Sequence, residues 1–349
     1  MAPAAFTEDE SLSTGDHATL PLIPLEPLLE DSLATRDTAQ KLLSAFRNEG
    51  FLYLSDYSKA IPTGLVKDVF AQSAHFFDRP LKEKEALEWD SARSNRGYTR
   101  QGREKTSQAL TRQDVARVRE SAGEDIKESF EIGRENEDGC PNHWPSLGDD
   151  GLKASSFQTT MMRFFDCCKT LHRILMRGLA IGMGLDETFF DGFVRNGDNT
   201  LRLLHYPEVP CSVFKDGNRV RAGEHTDYGS LTLLFQDKSG GLQVERPTEA
   251  GGWLDVVPIS GTIVVNAGDL LARWSNDLIR STKHRVIEPA AEPIADSHPA
   301  RYSVAYFCNP DFDRTIEALP KTSETSQGSS RYASVNSGEY LVQRLTATY

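Results

Sequence analysis

The stretch from His225 to Gln236, His-Thr-Asp-Tyr-Gly-Ser-Leu-Thr-Leu-Leu-Phe-Gln, decides how the rest of the chain is read. A glycine opens a short apolar run rich in strand-forming residues, and Asp237 to Gly240 closes it with turn residues. That is the pattern of a short β-strand. The same texture recurs on both sides, in Leu201-Arg-Leu-Leu-His-Tyr, Gly241-Leu-Gln-Val-Glu, Trp253-Leu-Asp-Val-Val, Thr262-Ile-Val-Val-Asn and Tyr302-Ser-Val-Ala-Tyr-Phe. Gly240-Gly241, Gly251-Gly252 and Gly268-Asp269 punctuate these runs. Many short strands with tight turns predict a sandwich or jelly roll over residues 197–312.

Upstream, the apolar period changes to that of helices. Leu20-Pro-Leu-Ile-Pro-Leu predicts a short strand, Asp37 to Glu49 a helix with Ala39, Leu42, Leu43 and Phe46 on one stripe, and Phe51-Leu-Tyr-Leu another strand after Gly50. Leu65 to Phe77 is again helical, and Ser156 to Gly184 carries the longest helical pattern. Glu85 to Pro145 is polar and without clear period, which predicts functional loops. Lys321 to Ser330 reads as a polar loop and Glu339 to Leu345 as a terminal helix. The expected organisation is a disordered lead at 1–19, an N-terminal region at 20–145, helical support at 146–196, the β core at 197–312, and a C-terminal loop and helix at 313–349. With no evident linker, these form one α+β unit with N-terminal helices and a C-terminal helix flanking the core.

Composition narrows the partners. The 349 residues carry a formal net charge of -12 and are 38% hydrophobic. An acidic surface argues against a nucleic-acid polymer, since phosphate backbones attract basic ones. No apolar run approaches the roughly 20 residues needed to span a bilayer, and Met1 to His17 lacks a charged-then-apolar signal pattern. Five irregularly spaced cysteines, two of them adjacent at Cys167 and Cys168, suit free thiols in a reducing compartment. A cytoplasmic protein acting on a small molecule, without membrane or nucleic-acid partner, is expected; the oligomeric state stays open.

The polar residues beside the strands carry the chemistry. His225 and Asp227 lie two apart, so in a strand both would point to one face. A lone His-x-Asp is common by chance. His284, in Ser281-Thr-Lys-His-Arg-Val, adds a second imidazole at the start of another strand-like run. Two imidazoles and a carboxylate can hold Fe(II) while leaving open positions. Arg301 and Ser303 follow about one strand later and add a fixed guanidinium fork and a hydroxyl, which suit a dicarboxylate such as 2-oxoglutarate. His75, His143, His172 and His298 read as core or surface residues.

These motifs, with Asn95-Arg-Gly-Tyr, Gly102-Arg-Glu-Lys, Asp125-Ile-Lys-Glu-Ser-Phe-Glu-Ile-Gly, Leu201-Arg-Leu-Leu-His-Tyr-Pro, Gly223-Glu-His-Thr-Asp-Tyr-Gly and Asn266-Ala-Gly-Asp-Leu-Leu-Ala-Arg-Trp-Ser-Asn, give the chain a family likeness. From Leu20 to Tyr349 it resembles the isopenicillin-N-synthase-like branch of the Fe(II)/2-oxoglutarate dioxygenases. Within that branch it is most similar to the fungal thymine dioxygenase (thymine 7-hydroxylase) group. The resemblance implies a double-stranded β-helix core, with residues 20–145 as the N-terminal non-heme dioxygenase region. It implies His225, Asp227 and His284 as the metal triad and as the catalytic centre. It also implies Arg301 and Ser303 on the distal carboxylate of 2-oxoglutarate with Tyr206 as an added phenol donor, and O2 as the oxidant.

The same likeness implies a ring pocket in which Asn95 and Arg202 read polar edges while Tyr228 and Phe307 stack. An amide offers donor and acceptor together, and two ring faces can sandwich a flat heterocycle. A bland reading stands beside this one: Tyr228 and Phe307 pack the barrel mouth and Asn95 caps a turn before Gly97. The expected reaction is hydroxylation of an aliphatic C–H bond, with succinate and CO2 as coproducts. The substrate is either a pyrimidine base such as thymine or an amino acid or compound of fungal secondary metabolism. Two further classes stay open, a same-fold oxidase that does without 2-oxoglutarate and a non-catalytic small-molecule receptor.

Overall fold

A computed structural model of the chain describes residues 19–30, 33–104, 125–146, 154–214, 219–246, 252–288, 296–319 and 331–349. The strands are β1 (Leu22–Pro24), β2 (Phe51–Ser55), β3 (Gly97–Thr99), β4 (Glu128–Gly133), β5 (Thr200–Tyr206), β6 (Val209–Pro210), β7 (Ala222–His225) and β8 (Leu231–Gln236). They continue with β9 (Leu242–Glu245), β10 (Trp253–Asp255), β11 (Ile263–Ala267), β12 (His284–Val286), β13 (Ser297–His298), β14 (Arg301–Cys308), β15 (Thr315–Ile316) and β16 (Val335–Asn336). The helices are α1 (Leu33–Asn48), α2 (Thr63–Phe77), α3 (Leu81–Glu85), α4 (Ala154–Gly182), α5 (Asp269–Trp274) and α6 (Ser337–Thr348).

Eight strands form one sheet in the order β1-β2-β11-β8-β14-β5-β4-β3, and four form a second in the order β10-β9-β12-β7. All pairs are antiparallel except β1 with β2. Between the sheets lies a cluster drawn from both, including Phe51, Tyr206, Leu242, Val244, Val286 and Ala305. The other face of the large sheet packs against α1, α2 and α4 through a larger cluster, with Leu42, Phe46, Val69, Phe164 and Leu171 among its buried members. Two facing sheets with helices on the outer side are consistent with a jelly-roll core.

Helix α1 shows how the sequence positions the site. Thr35, Thr38, Ala39, Leu42, Ala45 and Phe46 are its buried positions, at the three-to-four spacing of one helical face. The helix stops before Gly50, whose φ of +73° favours glycine. A Cβ there would collide with the Thr282 side chain and the Arg280 carbonyl. Thr282 Oγ1 donates to the Glu49 carbonyl at 2.8 Å, and the Arg280 amide to the Phe46 carbonyl at 3.1 Å. The end of α1 thus clamps the segment leading into His284.

Two expectations need correction. The stretch from Glu85 to Pro145 is not all loop: β3 and β4 extend the large sheet beside β5, and every residue of β4 is buried. Its polar residues disguised the strand because charged partners satisfy them inside the protein. The His225-Thr226-Asp227 triplet is not wholly strand either, since β7 ends at His225 and Asp227 sits in the following loop. Helix α5 was not foreseen. The expected lead at 1–19, apart from residue 19, and the loop at 321–330 lie outside the described residues. Among the described residues no helix is long and apolar enough to cross a membrane, and the five cysteines are free thiols.

Candidate active site

The register between β7 and β12 sets His225 opposite His284, with ring centroids 4.3 Å apart. The loop after β7 turns the Asp227 carboxylate toward both rings. Its Oδ1 lies 4.0 Å from His225 Nε2 and 3.7 Å from His284 Nε2. One donor atom from each of the three residues lies within 4.8 Å of the others. The Asp227 Oδ2 is held from behind, accepting from Thr232 Oγ1 at 2.6 Å and from Asn266 Nδ2 at 2.7 Å. His225 Nδ1 lies 2.7 Å from the Gly223 carbonyl and His284 Nδ1 lies 3.3 Å from that of Thr282. If those nitrogens carry the protons, both Nε2 lone pairs face the carboxylate.

The electrostatics suit a cation. Burial, with a smaller push from His284, lowers the His225 pKa to about 3, so its imidazole is neutral at physiological pH. Burial would raise Asp227, but the two histidines and the bonds from Asn266 and Thr232 outweigh it and hold the carboxyl below its ordinary range. Two imidazoles and one buried carboxylate form a donor set that fits Fe(II). His172, read as structural, is buried with Nε2 3.0 Å from Ser230 Oγ, away from this cluster.

The same cavity reaches Tyr206, Arg301 and Ser303. The β14–β5 register pairs Arg301 with Tyr206, and the guanidinium lies 4.9 Å from the centre of the phenol ring. Arg301 is buried. Its Nε donates to the Gly240 carbonyl at 3.0 Å, Nη1 to Ser303 Oγ at 3.1 Å, and Nη2 to Gln236 Oε1 at 3.4 Å. The fork is therefore fixed by β8, β14 and the Gly240 turn. Sequence reading missed Arg221, whose buried guanidinium stands 5.9 Å from the Tyr206 ring centre. Burial, reinforced by Arg301, lowers its pKa to about 10.

Asn95, Arg202, Tyr228 and Phe307 line the cavity as well, yet three of them are busier than the sequence suggested. Asn95 sits at a φ of +50°. Its Oδ1 accepts from Trp89 Nε1 at 3.0 Å and its Nδ2 donates to Thr200 Oγ1 at 3.2 Å. Arg202 lies over Phe307, 5.2 Å from the ring centre. Its Nη1 donates to Glu104 Oε1 at 3.1 Å, its Nη2 donates to the Tyr349 hydroxyl at 2.8 Å, and its Nε is 2.8 Å from Glu131 Oε1. Tyr228 shares a 2.6 Å hydrogen bond with Thr348 at the end of α6 and carries Arg344 over its ring at 4.4 Å.

Glu104, Lys127 and the α6 residues Leu341, Val342, Leu345 and Thr348 are further lining residues that the sequence reading did not select. The only signal for Glu104 was its place in Gly102-Arg-Glu-Lys; nothing local marked it as Arg202's partner. Burial works against the Glu104 charge, but Arg202 and Lys127 outweigh it and hold the carboxyl at about 2. Burial dominates at Glu131, whose pKa rises to about 7 despite Arg202.

Comparison with known proteins supplies the context. Residues 197–310 match the model of the 2OG-Fe(II) oxygenase superfamily, and residues 20–147 that of the non-haem dioxygenase in morphine synthesis N-terminal region. The chain is 34% identical to the 2-oxoglutarate-dependent dioxygenase htyE of Aspergillus rugulosus, over 82% of this chain and 86% of that one. It is 33% identical to the proline hydroxylase buaE of Petromyces alliaceus, over 89% and 93%. Among solved structures it is similar to full-length Neurospora crassa T7H in complex with alpha-KG and thymine. That likeness has a TM-score of 0.84 and 50% identity, covering 97% of this chain and 99% of that one.

Proposed function

Because the chain belongs to the 2OG-Fe(II) oxygenase superfamily and is a 2-oxoglutarate-dependent dioxygenase, we propose that it hydroxylates an aliphatic C–H bond of a pyrimidine base such as thymine. The observation that carries this reading is a single cavity lined by His225, Asp227 and His284 and also by Tyr228, Phe307, Asn95 and Arg202. The likeness at 50% identity to a protein bound to thymine supports it.

When bound, Fe(II) supplies the redox chemistry that consumes O2 and 2-oxoglutarate, releases succinate and CO2, and places hydroxyl on the substrate carbon. His225, Asp227 and His284 would hold the metal, with Thr232 and Asn266 fixing the Asp227 carboxylate. Arg301 and Ser303 would take the distal carboxylate of 2-oxoglutarate beside the Tyr206 hydroxyl, since a guanidinium fork matches a carboxylate in shape and charge. Tyr228 and Phe307 would hold a flat ring with its methyl toward the metal, and α6 would keep water from the reacting carbon. The intact Arg301/Ser303 pair and the complete triad weigh against the oxidase and the receptor.

A second reading has its own support. Curated relatives at 33–34% identity include a proline hydroxylase, so an amino acid or secondary metabolite could be oxidised by the same residues. Succinate release measured with thymine, related bases, proline and aromatic metabolites separates the two. The pyrimidine reading predicts stimulation by thymine and none by proline.

A further inference from the structure

The loop after His225 and the segment leading into His284 come from distant parts of the chain, and one side chain holds both. Asp269, the first residue of α5, accepts from Thr226 Oγ1 at 3.1 Å through Oδ2 and from Ser281 Oγ at 2.6 Å through Oδ1. Thr226 lies between His225 and Asp227, and Ser281 shortly precedes His284. The Asp269 amide also donates to the Asp227 carbonyl at 2.8 Å. One residue thus fixes the spacing of the two segments that carry the three candidate metal ligands.

The same carboxylate is answered from outside the β core. Arg344 on α6 is buried, places Nη2 3.4 Å from Asp269 Oδ2, and lies over the Tyr228 ring at 4.4 Å. Its helix supplies one wall of the cavity through Leu341, Val342, Leu345 and Thr348. That helix is held differently at its two ends. The first turn is fixed by backbone bonds, from the Ser337 amide to the Arg314 carbonyl at 2.8 Å and from the Gly338 amide to the Phe312 carbonyl at 3.1 Å. The far end is tethered by side chains, Arg344 to Asp269, Thr348 to Tyr228, and Tyr349 to Arg202 just beyond it. An end held by a few polar contacts opens at lower free energy than a packed core. The Arg344 cation favours the Asp269 position that Thr226 and Ser281 share, and a metal ion held by His225, Asp227 and His284 favours the same arrangement from the other side. Two events that favour one arrangement strengthen each other reciprocally.

We propose that Arg344 and Asp269 are positioning residues whose pairing links docking of α6 over the cavity to assembly of His225, Asp227 and His284 as a metal site. This rests on the reading of those three residues as the metal ligands and adds the C-terminal helix to what holds them in place. Metal binding and closure of the cavity wall are then coupled, each tightening the other, whatever substrate the cavity takes.

The test uses Co(II) alone as a stand-in for Fe(II) and reads two quantities in the full chain. One is Co(II) affinity from a competitive chelator titration, and the other is backbone hydrogen exchange of the α6 residues 341–348 with and without the metal. In the wild type, Co(II) should slow that exchange about fivefold or more, the lower end of coupling between linked sites. Arg344→Gln should lose this protection and weaken Co(II) binding by a similar factor, with exchange in α4 unchanged as the sign of an intact fold. Asp269→Asn should lose the protection as well, so either variant carries the test if the other fails to fold. Adding Arg344→Gln to Asp269→Asn should cost no further Co(II) affinity, since the effect of Arg344 runs through Asp269. Protection of α6 that persists in either variant, or an equal loss of affinity from Arg344→Gln in both backgrounds, overturns the proposal and leaves Arg344 a packing role. So does wild-type α6 exchange that is indifferent to Co(II) bound at the triad. Co(II) binding undiminished in His225→Ala is a separate outcome, which removes the metal assignment and the proposal with it.

Discussion

His225 and His284 stand directly opposite one another across the β7–β12 ladder, and Asp227 reaches both Nε2 atoms from the loop that follows. The pairing is a matter of register. A one-residue slip of β12 would turn His284 away from the cavity. His225→Ala, Asp227→Ala and His284→Ala should each lose nearly all bound iron and turnover while keeping the fold, and Asp227→Glu should fail through its longer stem. Iron stoichiometry of the purified variants checks this; full iron and activity in Asp227→Ala would refute the assignment.

Asn266 and Thr232 hold the far oxygen of Asp227. Residues that orient a metal ligand in this way are typically worth about 10–100-fold in metal affinity or activity. Asn266→Ala should therefore weaken iron binding by roughly that factor without touching a ligand. A competitive chelator titration measures it, and unchanged affinity would show that Asp227 is held by other means.

Arg301 is fixed by hydrogen bonds to Gly240, Ser303 and Gln236. Arg301→Leu should raise the 2-oxoglutarate requirement by orders of magnitude, because one unpaired partner of a buried charge pair costs about 2–5 kcal/mol. Affinity for the prime substrate should change little. Turnover that needs no 2-oxoglutarate would replace the dioxygenase account with an oxidase.

Glu131 links the cluster around Arg202 to pH. Burial raises its carboxyl from 4.5 to about 7 in the folded chain. Between those values the native state holds a proton that the unfolded chain has released, so this group's contribution to stability declines as pH rises from about 4.5 to 7 and then levels off. Glu131→Gln cannot lose that proton. The stability of Glu131→Gln relative to wild type should rise across this window and plateau above it. Thermal melts of the metal-free proteins at several pH values give the answer; a flat difference would remove the protonated Glu131 from the account.

Phe307 and the polar pair Asn95 and Arg202 should separate by the kind of selectivity they lose. Phe307→Ala should weaken all flat ligands alike, since it removes a ring face. Asn95→Ala and Arg202→Ala should discriminate among analogues by their ring edges, with about 0.5–1.5 kcal/mol for a neutral hydrogen bond lost at Asn95 and about 1.5–3 kcal/mol for one lost at the charged Arg202. Binding of a small analogue series to the four proteins tests the split; equal losses across all analogues in Arg202→Ala would argue for packing alone.

Particular residues show what could be read from the chain. The grouping of His225 and Asp227 with His284 was legible because a His-x-Asp pair is local and the family likeness supplied the distant third ligand, with Arg301 and Ser303 beyond it. The strands after Asn199 were legible because alternation and turn glycines are local too. β4 was not, since Glu128 and Glu131 look solvent-exposed until His205, Lys84 and Arg202 are seen beside them. The contacts of Arg202 with Glu104 and Tyr349 are 98 and 147 residues apart in sequence, beyond the reach of any periodicity. Asn95 lines the cavity, but its bonds to Trp89 and Thr200 accompany a left-handed backbone turn invisible in the composition.

This triad and this pocket should act together on a pyrimidine. Succinate formation in the presence of Fe(II), O2, 2-oxoglutarate and thymine is the decisive measurement. Thymine should stimulate succinate release strongly, with one succinate formed for each hydroxylated base, and His225→Ala should abolish both. Succinate release that thymine leaves at its background rate, while another small molecule raises it, would exclude thymine as the substrate.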